Sequence, residues 1–161
     1  ASSSDAVRVL TERLTAAAAE GMRAGLLPME RTAKRLCPVD TGDLRNSIRA
    51  EVRVKGGSVE GKLSANSDHA VYVEMGTGDV GRASGGNGSG VQVSYRHGGW
   101  FVPLARGAVM VKDTILKDAS AGFWTYGQPA RPYLYPAYRQ HRDGLEKAIR
   151  SAMLKSLKGG G

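Results

Sequence analysis

The sequence predicts an α+β fold, in which a small antiparallel β-sheet packs with a long N-terminal helix and a C-terminal helix beside a long glycine-rich loop. Three observations lead there. Apolar residues recur at helical spacing at both ends of the chain, strict two-residue alternation runs between Ile48 and Leu63, and glycines crowd residues 76–99. At 161 residues the chain is expected to be a single domain, 1–161, large enough to bury a core without disulfides or metal.

The N-terminal helix is placed at 6–36. Ser4 or Asp5 can cap it, and Val7, Leu10, Leu14, Ala17, Ala18, Gly21 and Met22 draw one apolar stripe. Gly25 and Pro28 predict a kink or short break, because proline lacks a backbone donor and disfavours helix at the residue before it. Met29, Ala33 and Leu36 resume the helical face until Pro38 ends it.

Thr41 can cap a short turn from Gly42 to about Ser47. Ile48, Ala50, Val52 and Val54 then alternate with charged residues, Gly56 and Gly57 supply a turn, and Val59, Gly61 and Leu63 return: a hairpin over 48–64. Ala70 to Met75 could be a strand or a helical turn. A long loop over 76–99 follows, with Val91 to Tyr95 as a brief strand, and Trp100 to Leu104 and Val109 to Leu116 as further short strands. Pro129 and Pro132 punctuate the approach to a last helix, 136–158, whose Leu145, Ile149, Met153 and Leu157 mark its buried side.

Function classes fall away in turn. No apolar run approaches the ~20 residues that span a bilayer, and no secretory signal is visible at the start. The single cysteine, Cys37, reads as a structural thiol of a protein made in the cytoplasm. Asp40-Thr41-Gly42 matches the aspartic-protease triplet, but only one copy is present, and it follows a helix rather than an apolar strand. Gly76, Gly78 and Gly81 satisfy GxGxxG without the strand and helix that a dinucleotide site needs, so they read as flexible loop. His69, His97 and His141 lack metal-ligand spacing. Glu74 has no nucleophile or acid partner and reads as a carboxylate paired with an arginine. The expectation is a protein that is not an enzyme and takes no cofactor.

Charge and aromatics gather late. The formal charge is +8, and residues 131–161 carry seven basic side chains against two acidic. Arg139, Arg142, Lys147 and Arg150 are candidate anion-facing residues, while Lys155 and Lys158 are expected to matter little except at low salt. Trp100, Phe101, Trp124, Tyr126, Tyr133 and Tyr138, interleaved with Arg131 and Arg139, could stack nucleic acid or form a protein interface.

Three segments carry a family resemblance. Pro38-Val39-Asp40-Thr41-Gly42 with Leu44-Arg45 and Ser47-Ile48, then Tyr72-Val73-Glu74-Met75-Gly76-Thr77, then Ala130-Arg131-Pro132-Tyr133-Leu134-Tyr135-Pro136-Ala137, follow in an order that resembles the neck or tail-completion (head-tail joining) proteins of long-tailed bacteriophages. Met75 and Tyr133 stand where phenylalanine is usual, and the glycine-rich loop is longer.

The resemblance implies a structural virion protein, made in the host cytoplasm, that forms a ring around the DNA passage and joins tail to capsid connector. Its implied partners are copies of itself, six favoured over twelve, and neighbouring neck, head-closure or tail-terminator proteins, with non-specific contact to lumenal DNA and no membrane. It assigns structural or interface roles to Asp40, Thr41, Gly42, Leu44, Ile48, Tyr72, Glu74, Gly76, Thr77, Arg131, Pro132, Tyr133 and Pro136, with Glu74 and Arg131 as a preferred ion pair. A tail-terminator or minor tail protein, or a basic nucleic-acid-binding protein, are the alternatives.

Overall fold

The computed structural model describes residues 2–103 and 122–159. The fold is α+β, and the chain divides into two compact units, Ala1–Asp68 with Tyr133–Gly161, and His69–Pro132.

The first unit is built on helix α1, Ser3–Leu36, which begins one turn earlier than its stripe suggests. Ser2 caps it, its Oγ accepting from the Ser4 N–H at 3.2 Å. The break expected near Pro28 does not occur, since α1 runs on through Pro28. The physical reason is which face that proline occupies. Pro28 and Ala24, whose carbonyl loses its helical donor, are both exposed, so water can serve that oxygen. Gly25 is buried on the opposite side and acts as a packing notch rather than a hinge.

That notch receives helix α5, Leu134–Lys158, which starts two residues before Pro136. Pro136 sits in the first turn, where its missing N–H is no loss. The two helices run antiparallel. A β-carbon at Gly21 would lie 2.6 Å from Ile149 Cα, and one at Gly25 2.7 Å from Leu145 Cα. Thr32 Oγ1 and His141 Nε2 meet at 2.8 Å, and Arg13 donates to the Ser156 carbonyl at 2.6 Å. His141, read as a surface histidine, is a half-buried tie between the helices.

Helix α2, Asp43–Ser47, follows a turn held by Thr41, whose Oγ1 accepts the Asp43 N–H at 3.3 Å. Strands β1, Ile48–Lys55, and β2, Ser58–Ala65, pair antiparallel from Ile48↔Ala65 to Lys55↔Ser58. Gly56 and Gly57 close the two-residue turn with φ of 57° and 81°, both positive as a type I′ turn requires. Ile48 is fully buried, and Arg49, Glu51 and Arg53 face water. The hairpin lies on α1: Met22 and Leu26 fill the space above Gly61, and Glu30 Oε2 accepts the Ala50 N–H at 2.8 Å. Burial pushes the Glu30 carboxyl up, but the hydrogen bonds from Lys34 and the Ala50 N–H, with the charges of Lys34 and Arg49, outweigh it and hold the group below its ordinary value.

The second unit holds helices α3, Ala70–Met75, and α4, Gly78–Ala83, and strands β3, Trp100–Pro103, and β4, Gly122–Thr125. The ambiguous stretch 70–75 is thus helical. The expected loop over 76–99 is shortened, because α4 occupies its first part; residues 84–99 lie in neither helix nor strand, so the strand expected at Val91 to Tyr95 is absent. β3 and β4 pair antiparallel, Trp100↔Thr125 to Pro103↔Gly122. The strand expected at Val109 to Leu116, and Leu104 at the end of β3, fall outside the described residues.

Candidate functional site

In the second unit the residues of two motif segments meet at the corner between α3 and α4. Gly76 ends α3 with φ 77°, a conformation L side chains avoid, and a β-carbon there would lie 2.7 Å from both the Ala130 nitrogen and Gly81 Cα. Gly78, φ 61°, admits the Tyr126 carbonyl, which a β-carbon would meet at 2.2 Å. The GxGxxG spacing is therefore a site of close backbone approach within a packed corner, not flexible loop. A helix precedes it, which confirms that it lacks the strand of a dinucleotide site.

The segment from Tyr126 to Arg131 straps this corner. Val80 N–H donates to the Tyr126 carbonyl at 3.3 Å, Thr77 N–H to Gln128 O at 2.9 Å, and Arg131 N–H to Val73 O at 2.8 Å. Gln128 answers with its own N–H to Thr77 Oγ1 at 3.1 Å and its Nε2 to Tyr72 O at 3.1 Å, while Ala130 N–H reaches Ser84 Oγ at 2.9 Å. Thr77 thus serves both as cap residue of α4 and as anchor of the strap.

The expected ion pair between Glu74 and Arg131 is not formed. Glu74 is buried and accepts from Asn87 Nδ2 at 3.0 Å, whereas the Arg131 side chain is exposed and joins α3 only through its backbone. A solvated guanidinium needs no buried partner, which removes the reason for the pairing.

Beside the corner, Asp79 gathers the following segment. It accepts the Gly98 N–H at 2.9 Å and lies 3.1 Å from His97 Nδ1 and 3.5 Å from Arg82. The His97 hydrogen bond, then that from Gly98, with the Arg82 charge, hold its carboxyl below the ordinary value. Tyr95 O–H donates to Met75 O at 2.8 Å, and the Arg96 guanidinium stacks 5.3 Å over the Trp100 ring. Tyr72, Met75, Thr77, Tyr95, Arg96 and Trp100 line a shallow groove of about 500 Å³. Outside it, Phe101 and Trp124 stand opposite each other across β3 and β4, 48% and 52% exposed.

In the first unit, Asp40 and Thr41 are exposed, Gly42 is the cap residue of α2, Leu44 is half-buried and Ile48 buried. Tyr133, fully buried, precedes α5, with Pro132 and Pro136 half-buried. Arg139, Arg142, Lys147 and Arg150 are exposed on α5, away from the side that meets α1. Arg142 lies 3.5 Å from Asp143 and Arg150 3.0 Å from Glu146, both exposed pairs worth little.

Chemically this is a scaffold of contacts. Among the described residues no group of three or more His, Cys, Asp or Glu is placed to hold a metal, and no helix is long and apolar enough to cross a membrane. Sequence reasoning missed Gln128, Ser84 and the clasp of Asp79 with His97. The one available signal was Thr77-Gly78-Asp79, a capping residue followed by an acid in a first turn.

No curated protein and no solved structure matches the chain. A family model does: residues 4–76 match the HK97-gp10-like family, described as "Bacteriophage HK97-gp10, putative tail-component". The match runs from α1 through α3 to Gly76, so it takes in the segments around Asp40 and around Glu74, while the Ala130 to Ala137 segment lies beyond it. Over residues 4–76, then, this is an HK97-gp10-like chain, of a family described as a phage tail component.

Proposed function

We propose that the protein is a structural, non-enzymatic component of the phage neck, which assembles with copies of itself into a ring around the DNA passage and joins tail to capsid connector. The observation that carries this reading is the use made of the motif residues. Gly76, Thr77 and Arg131 are spent on a backbone-laced corner, leaving Tyr72, Phe101, Trp124 and Tyr126 about half exposed beside it. Exposed aromatics on a rigid frame are what a repeated protein contact uses.

A closed ring uses one heterologous contact repeated until it meets itself, which leaves no free sticky end. Six copies match a six-fold tail tube. Electron microscopy of the purified protein together with its capsid-side neighbour is expected to show six-fold rings. Monomers or dimers at every concentration, with or without the neighbour, would sink the ring. Antibody label along the tail, away from the head-tail junction, would instead favour a minor tail protein.

A further inference from the structure

We propose that one edge of α5, formed by Lys147, Arg150, Lys155 and Lys158 with Ser151, binds the phosphate backbone of duplex DNA; that DNA passes this protein at all rests on the reading above. These side chains and Leu154 line one shallow groove of about 470 Å³, into which no carboxylate projects. The spacing i, i+3, i+8, i+11 keeps the cations along one side of the helix, clear of Leu145 and Ile149, which face α1. Lys147, Lys155 and Lys158 enter no ion pair among the described residues.

The helix dipole accounts for part of this array and no more. Cations are favoured in the last turn, where Lys155 and Lys158 sit, but the dipole fades within that turn, and Lys147 and Arg150 lie well before it. The composition separates DNA from an acidic protein. Three of the four cations are lysines, a residue depleted at protein interfaces and common in phosphate contacts, and the groove holds no aromatic anchor. From Lys147 to Lys158 the edge extends ~16 Å along the helix. A duplex of that length carries about nine phosphates, enough for every cation and the Ser151 hydroxyl. Lys155 and Lys158, set aside on sequence grounds, thus belong to the same surface as Lys147 and Arg150.

The experiment is anisotropy of a labelled random-sequence duplex titrated with the full chain between 50 and 200 mM salt. Four phosphate contacts predict that affinity falls roughly 150-fold over that range. The double variant Lys155→Gln, Lys158→Gln should fall only about 12-fold, and Lys155→Arg, Lys158→Arg should behave as the parent. Arg8→Gln with Arg53→Gln, exposed cations elsewhere on the same unit, should change nothing. No binding at 50 mM salt, a salt dependence unaltered by the glutamines, or poly-glutamate bound as tightly as the duplex would each overturn the assignment. The measurement does not depend on ring formation: DNA binding without rings would sink the neck reading and keep this edge, and rings that ignore DNA would do the reverse.

Discussion

Gly25 of α1 and Leu145 of α5 are in backbone contact, so that a methyl group on Gly25 would meet Leu145 Cα at 2.7 Å and its Cδ1 at 2.5 Å. Gly21 repeats the relationship one turn away, against Ile149. Two glycines on one helix face let α5 settle into α1, and the buried residues Leu26, Met29 and Ala33 close around the seam.

Gly25→Ala is therefore expected to destabilise the first unit by about 1–3 kcal/mol, the usual cost of overpacking, less the ~1 kcal/mol that alanine gains over glycine in a helix. Gly144→Ala supplies the contrast. It lies on exposed α5 surface with nothing within 4 Å of the added carbon, so it should stabilise by roughly 0.5–1 kcal/mol. Urea unfolding of both variants checks the pair, and a stabilised Gly25→Ala would mean that the helices are not in backbone contact.

Glu30 joins α1 to the hairpin, and its titration should be visible in acid. Its carboxyl is held below the ordinary 4.5 in the folded chain, so the unfolded chain takes up its proton first as pH falls. The stabilisation is complete above about pH 4.5 and is lost as pH drops through the lower folded value. Glu30→Gln keeps an acceptor for the Ala50 N–H but cannot ionise. Its melting temperature should lie below the parent's at neutral pH and converge with it in acid; parallel pH curves would show that Glu30 does not titrate with the fold.

The corner between α3 and α4 predicts a local effect. Gly78→Ala would force a left-handed backbone and drive a methyl to within 2.2 Å of the Tyr126 carbonyl. Amide exchange should accelerate at Val80 and Thr77, which donate across the strap, while Ala50 in the first unit keeps its protection. Gly88→Ala, with nothing within 4 Å, should leave both sets of amides as they were, apart from its own positive φ.

How legible these features were follows from what each depends on. α1, the hairpin and α5 announce themselves because burial selects side chains at periods of 3.6 and 2, as at Leu26, Met29 and Ala33, or at Ile48, Ala50 and Val52. The strap leaves no such mark. Thr77, Gln128 and Arg131 are joined through backbone groups that every residue carries, across some fifty residues of chain. Pro28 misled for a related reason. Its effect depends on which way the Ala24 carbonyl faces, and only the packed helix decides that. The stripe of α1 was misjudged at its beginning too, where Val7 and Leu10 prove exposed.

The last prediction concerns Glu74, where sequence reasoning chose the wrong partner. Both Glu74 and Arg131 are charged and both lie in motif segments, which makes the pair attractive on paper, but Arg131 is exposed and Glu74 takes a hydrogen bond from Asn87 at 3.0 Å. A hydrogen bond to a buried charged group contributes about 1.5–3 kcal/mol, and removing the donor leaves the carboxylate with less compensation for its burial. Asn87→Ala and Glu74→Gln should each destabilise the second unit, and the double variant should cost less than their sum by 0.5 kcal/mol or more, because the second substitution finds the interaction already weakened. Arg131→Gln, by contrast, retains the backbone N–H that bonds Val73 O and should add to Glu74→Gln within about 0.5 kcal/mol. Denaturant midpoints for the two cycles decide it: coupling with Arg131 and additivity with Asn87 would restore the ion pair and overturn the hydrogen-bonded assignment.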